Sequence, residues 1–381
     1  MQKIIDGISL DFDDVLIRPK RSTLSSRSEV NIIRDFHFKH SPRKLSAAPI
    51  IVANMDTTGT FAMARNVSNY GALVALHKHY KPEQLVDFFS NEKVADKERT
   101  FYSLGTSTND IEKLTFVFNE LQKNGISIPN ICVDVANGYS EKFVKTLAHI
   151  RKLYSDPIIM AGNVVTDEMV EELVLHGGVD IVKVGIGPGA VCTTRLKTGV
   201  GYGQISACLE CSDAAHGLGA LICGDGGCKH VGDICKALGT GADFVMLGNM
   251  FAGTDECEGE WEYEYKSQFK TNDGKIVSEW WQPFNPGGND RERRKKYLKF
   301  YGMSSKEAME KHNNGVASYR TSEGRCVTVP YKGLASDVVL DIFGGIRSAC
   351  TYIGASKIKH FGRRTTFIRV NNTHTKTYEK N

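Results

Sequence analysis

Short apolar, β-branched runs recur along the chain. Each ends in Gly, Asn, Asp or His, and each is followed by a stretch of helical periodicity. The runs are PIIVA (49–53), ALVAL (72–76), TFYSL (100–104), ICVDVA (131–136), PIIMA (157–161), DIVKV (180–184), ALIC (220–223) and DFVML (243–247). Continuous rather than alternating apolar strands are those of a parallel sheet covered on both faces. Two intervening stretches carry the helical period clearly, 110–121 and 166–175. The second opens on Thr166 as a candidate N-cap with an acidic first turn. Eight strand–helix units in succession predict an α/β fold, a single-domain (β/α)8 TIM barrel over residues 1–381, in preference to an open doubly wound sheet.

A barrel of this kind holds its active site at the C-terminal ends of its strands. Here all eight ends are polar or glycine-rich, among them Asn54-Met55-Asp56, His77-Lys78-His79, Gly162-Asn163 and Gly248-Asn249. For any single end this is ordinary loop composition. The sixth end is different. Its loop, GIGPGAVCTTR (185–195), has three glycines in five residues, a rigidifying proline and then a lone cysteine between an apolar residue and two hydroxyls. A core cysteine sits in a strand or helix. Cys192 sits where loop amides can stabilise a thiolate, which makes it a nucleophile candidate.

Other motif readings are weaker. Gly185-x-Gly187-x-x-Ala190 satisfies a relaxed dinucleotide pattern, but Pro188 and the Val, Thr, Thr that follow oppose the helix this pattern must open. No Gly-Lys-Ser/Thr follows, so it is not a P-loop. Cys208, Cys211, Cys223 and Cys228 have spacing similar to a zinc quartet, yet a helix over 206–218 and a buried strand at 220–223 would keep the sulfurs apart. After strands seven and eight, Gly-Asp-Gly-Gly (224–227) and Gly-Asn (248–249) stand where barrels bind phosphate through backbone amides. Asp225 would repel a phosphate but accept hydrogen bonds from a ribose diol, so the pair suggests a nucleoside monophosphate.

Composition narrows the setting. The balance of 48 basic against 44 acidic side chains, net +4, is too even to imply a nucleic-acid or membrane surface. No apolar run approaches the ~20 residues of a membrane helix. The first residues carry acids where an export signal would be apolar, and the ten scattered cysteines read as reduced thiols, so a cytoplasmic protein is expected. Residues 255–298 contain all three tryptophans and a basic run, and read as an extended loop after strand eight, a long insertion or lid.

At this point the motifs become recognisable. GIGPGAVCTTRLKTGVGYGQ resembles the catalytic loop of the IMP dehydrogenase and GMP reductase family. LDFDDVLIRPKRSTLSSR, PIIVANMDTTGTFAMA, LHKHY, DVANGYSE, IMAGNVVT, GDGGC, ADFVMLGNMFAG, FYGMSS, YRTSEG and VPYKG are similar to family segments too. The likeness spans roughly residues 8–260 and 298–370. Only residues 79–99 separate Lys78 from the next strand, which leaves no room for the regulatory domains usual in the dehydrogenases. The resemblance therefore implies the reductase branch: an oxidoreductase of purine salvage that converts GMP and NADPH to IMP, ammonia and NADP through a thioimidate on cysteine. The alternatives are an IMP dehydrogenase without regulatory domains and a catalytically silent nucleotide-binding paralogue.

By this resemblance the catalytic residues are Cys192, Thr194 and Glu323. GMP or IMP would be bound by Asp225, Gly226, Gly227, Gly248, Asn249, Gly302, Met303, Ser304, Arg320, Thr321, Ser322 and Gly324. NADPH would be bound by Ser26, Arg27, Lys78, Asp134, Val135, Ala136, Ile186 and Gly187, with Ser348, Ala349, Cys350 and Thr351 reaching a neighbouring subunit's site in a homotetramer. Gly187, Gly189, Cys192 and Arg195 match a site for a monovalent cation, K+. Three positions depart from the family pattern. Ala190 stands where a serine commonly helps hold the phosphate, a loss of about 1.5–3 kcal/mol if nothing replaces it. Asn249 replaces a glycine and is the candidate substitute. Gly203 replaces a proline, which implies a less rigid loop. The length of 255–298 is the fourth departure.

Overall fold

A computed structural model describes residues 4–93, 97–271, 275–281, 293–313 and 321–371. Eight parallel strands close into a barrel: β1 (Ile50–Val52), β2 (Leu73–Ala75), β3 (Thr100–Leu104), β4 (Asn130–Asp134), β5 (Ile159–Val164), β6 (Ile181–Val184), β7 (Leu221–Asp225) and β8 (Phe244–Leu247). Each falls within or one residue beyond an apolar run of the sequence, except that β5 extends to Val164 and β7 to Asp225, and β8 pairs with β1 to complete the ring. The crossover helices are α1 (Phe61–Val67), α2 (Pro82–Asn91), α3 (Thr108–Lys123), α4 (Glu141–Leu153), α5 (Asp167–Leu175), α6 (Gln204–Gly217), α7 (Val231–Gly239) and α8 (Ala335–Ile353). This is the predicted TIM barrel.

Strand alternation sorts the side chains. Ile51, Leu73, Phe101, Met160, Ile181 and Phe244 point inward and form a core inside the barrel. Their neighbours Ile50, Val52, Val182 and Val245 point outward and join the larger core between the strands and the helices. An antiparallel hairpin, Arg34–His37 with Lys44–Ala47, adds Phe36 and Leu45 to the inner core, and the Phe36 ring stacks on Phe244 with centroids 4.2 Å apart. One end of the barrel is thereby plugged with apolar side chains, and the other is left to the loops.

Helix starts follow their capping residues. Ser107 and Asp110 bond each other's backbone N–H groups at the start of α3. Thr166 occupies the N-cap position of α5 as expected, but its side chain makes no capping bond; its hydroxyl meets the Tyr139 hydroxyl at 3.1 Å instead.

The segment after β8 is not an irregular loop. Its described residues form β9 (Trp261–Lys270), β10 (Ile276–Trp281) and β11 (Arg293–Tyr301), joined by β12 (Cys326–Pro330) in an antiparallel sheet ordered β10-β9-β11-β12. Cations lie over the aromatic rings: Lys295 on Trp261 at 4.4 Å, Arg294 on Trp280 at 4.2 Å and Arg293 on Tyr263 at 4.7 Å. Glu264 pairs with Arg294 and Lys296. Leu298 and Phe300 of β11 are buried in the main core, so the sheet is rooted in the barrel. β11 runs directly into Gly302, Met303 and Ser304.

Candidate active site

Thr193 starts a short turn of helix, Thr194–Thr198, and places Cys192 and Thr194 on one side of the β6 loop. The loop 321–325 lies against it. Cys192 pairs with Gly324 in an antiparallel bridge, Thr193 N–H donates to the Glu323 carbonyl (2.7 Å), and Arg325 N–H donates to the Val191 carbonyl (2.9 Å). The Arg325 guanidinium also donates to the Ala190 carbonyl at 2.7 Å. This docking fixes the side chains: the Cys192 thiol is 3.2 Å from Thr194 Oγ1, whose hydroxyl donates to Glu323 Oε2 at 2.7 Å. A thiol, a hydroxyl and a carboxylate in series form a proton path.

Two adjoining cavities meet at this path. One, about 230 Å3, holds Cys192, Thr194 and Glu323 with Asp134, Val135, Ala136, Ile186, Gly187, Gly302, Met303 and Ser304. The other, about 190 Å3, holds Asp225, Gly226, Gly227, Gly248, Asn249, Met303, Ala190 and Phe300. Asp134, Gly189, Val191, Asp225, Gly226 and Met303 line both. Eight of the twelve residues assigned to the nucleotide therefore line these cavities.

Others do not. Arg320 lies outside the described residues. Thr321 is exposed, and Ser322 turns its hydroxyl to the Gly324 carbonyl (3.0 Å). Lys78 is exposed beside Gly105 and lines neither cavity. Ser26 caps the turn Arg27–Glu29, which packs on α8, the helix that carries Ser348, Ala349, Cys350 and Thr351. That group gathers away from both cavities of its own chain, and Cys350 is fully buried. At the cation position, the Gly189 carbonyl already accepts from Cys192 N–H (3.0 Å). The Arg195 guanidinium is committed to Asp11 and the Tyr202 carbonyl, and its own carbonyl accepts from Gly199 N–H (3.1 Å). Cys208, Cys211, Cys223 and Cys228 are buried and free, and among the described residues no cluster of three or more His, Cys, Asp or Glu could hold a metal ion. Among the described residues no helix is long and apolar enough to cross a membrane.

One departure has a local cause. Gly203 N–H, which a proline would lack, donates to Ser9 Oγ at 2.8 Å, and the Leu10 backbone leaves no room for a side chain there. Gly185 has φ +151°, and a Cβ on it would collide with the Asp225 carbonyl. Gly185→Ala is expected to lower stability by about 2–4 kcal/mol, read from urea unfolding.

Residues 302–313, which follow β11, are anchored beside the site. Asp56, at the end of β1, is buried and its Oδ2 accepts from Tyr301 Oη (2.8 Å), Lys311 Nζ (2.9 Å) and His312 Nε2 (2.9 Å). His312 in turn stacks on His79 at 3.5 Å. Burial, with the neighbouring His312 and Lys78 charges, drives His79 down to about 3, so it is neutral. Burial alone would raise the Asp56 carboxyl, but the His312 and Lys311 bonds outweigh it and hold it below its usual value. A depressed folded value means stability that is present above the unfolded value of ~3.9 and lost as pH falls through the folded one. Asp56→Asn is expected to cost about 1–3 kcal/mol at pH 7 and to flatten the acid side of the stability profile, both measured by urea unfolding.

Sequence reading alone leaves three site residues without a role. Lys183 and Asn163 bond Asp225, and Asn54 bonds Asp134. A lone lysine in the apolar run 180–184 was the available signal for the first.

The domain model described as "IMP dehydrogenase / GMP reductase domain" matches residues 9–282 and 283–379. The GMP reductases of Yersinia pestis (strain Pestoides F) and Yersinia pseudotuberculosis (serotype O:1b, strain IP 31758) are each 51% identical over 368 residues, covering 97% of this chain and 96% of theirs. With the barrel closed and almost the whole chain matched, the protein belongs to the IMP dehydrogenase / GMP reductase family.

Proposed function

We propose that the protein catalyses the NADPH-dependent reductive deamination of GMP to IMP, with release of ammonia, through a covalent bond between Cys192 and the purine. The observation that carries this reading is the Cys192–Thr194–Glu323 path at the junction of two cavities. Carbon-2 of guanine bears an amine that hydride cannot simply displace. The Cys192 sulfur adds to that carbon as its proton passes through the Thr194 hydroxyl to Glu323. Glu323 then returns a proton to the amine, the C–N bond breaks and ammonia leaves. The nicotinamide, when bound, supplies a hydride to the same carbon. The C–S bond finally breaks, restoring the thiolate. Overall, GMP, NADPH and two protons give IMP, NADP and ammonium.

The same path thus serves as base for the thiol and acid for the amine. Asp225 would accept the ribose hydroxyls, and the Gly226, Gly227, Gly248 and Asn249 backbone would face the phosphate. The residues of the Cys192 cavity suit a nicotinamide: Val135, Ala136 and Ile186 are apolar, and Asn163 Oδ1 is buried with no partner among the described residues, ready to accept an amide N–H. Uncharged loop carbonyls of Gly187, Gly189 and Cys192 suit K+, whereas Arg195 can offer it only a carbonyl. Ser26, Arg27 and residues 348–351 would serve a neighbouring subunit in a cytoplasmic homotetramer, and β9–β11 would act as a lid.

The test is the near-ultraviolet absorbance of NADPH with protein, GMP and K+. Loss of absorbance with equal amounts of IMP and ammonia is expected. No loss, with NADH appearing from IMP and NAD, would transfer the protein to the dehydrogenase branch.

A further inference from the structure

Lys183 is the one charged residue of β6, and it is only 1% exposed. Ile181 points inward, so Lys183, two residues on, also points into the barrel, near the end where the cavities open. Its ammonium pairs with Asp134 and lies 3.3 Å from Asp225 Oδ2. Asn54 donates to the other Asp134 oxygen (3.1 Å), and Asn163 donates to the same Asp225 oxygen (2.9 Å). None of these bonds uses Asp225 Oδ1. Both carboxylates remain partly exposed, and both line both cavities.

Burial opposes the ammonium, but the two carboxylates outweigh it and raise Lys183 well above the ordinary lysine value. Lys183 in turn holds the Asp134 carboxyl low. A buried ion cluster is seldom the most stable choice; an apolar side chain of similar size commonly packs as well or better. A role in presenting the carboxylates explains why a lysine stands here.

We propose that Lys183 is a positioning residue for sugar recognition: one buried ammonium, shared by Asp134 and Asp225, fixes both carboxylates so that their remaining lone pairs accept hydroxyls from the two riboses that meet at the cavity junction. Asp225 would receive the purine nucleotide's ribose and Asp134 the cofactor's. This inference rests on the nucleotide reading above.

The test compares the binding of GMP and 2′-deoxy-GMP by calorimetry, so that turnover is not needed. Wild-type protein is expected to prefer GMP by about tenfold or more, the effect of one hydrogen bond to a charged group. In Lys183→Met the preference should shrink to about twofold, chiefly through weaker GMP binding. Lys183→Arg should restore part of it. If Lys183→Met does not fold, Lys183→Gln carries the same expectation. A preference that persists in the neutral variants, or equal weakening of both nucleotides, makes Lys183 purely structural and overturns the proposal. Wild-type protein that binds GMP without preferring it also overturns it, leaving the nucleotide reading intact. Wild-type protein that binds neither nucleotide overturns both.

Discussion

Cys192→Ala is expected to reduce turnover by about 10^4-fold or more while GMP still binds. The size follows from the chemistry. Without the sulfur there is no addition to carbon-2, and no other cysteine lines the Cys192 cavity. Cys223 and Cys228, the cysteines nearest in sequence to Asp225, are buried, and burial pushes their thiols far up. The residues proposed for the phosphate, Gly227, Gly248 and Asn249, line the other cavity, and Asp225 lines both, so the GMP dissociation constant should move by less than about threefold. Calorimetry for binding and NADPH loss for turnover separate the two. Residual turnover within about tenfold of wild type would refute covalent catalysis.

Glu323→Gln is expected to lower kcat by about 10^2- to 10^4-fold, with little change in KM for GMP. The amide retains the fold: the Glu323 backbone, which receives Thr193 N–H and donates to the Ser304 carbonyl (3.0 Å), is untouched. Glutamine can still accept from Thr194 but cannot take up and return a proton. Thr194→Val should break the same path with a smaller loss, because a water molecule can bridge a thiol and a carboxylate that a hydroxyl now joins. Steady-state kinetics on both variants checks the order. Equal, small losses would remove the path from the mechanism.

Barrel strands were legible because burial on both faces leaves continuous apolar runs, and all eight lie where the runs fall. The sheet β9–β11 was hidden by its own composition. WEYEYK (261–266) does alternate with period two, but aromatic positions alternate with charged ones rather than with a clean apolar face. Its partner strand begins in the basic run, which reads as a solvated surface until Trp261, Tyr263 and Trp280 are seen beneath the cations. Cys192 and Thr194 are two residues apart and announce themselves on their loop. Glu323 is 129 residues from Thr194, and only resemblance pointed to it. Lys183 was masked by its strand: in an apolar run a single lysine is easily passed over, and only the folded barrel brings it against two carboxylates from β4 and β7.

The most direct measurement is peptide mass mapping after acid quench during turnover of GMP and NADPH. The account predicts a purine-nucleotide adduct on the peptide containing Cys192, lacking the guanine amino group and absent from Cys192→Ala. Turnover with no adduct on that peptide, or an adduct on a different residue, would contradict it.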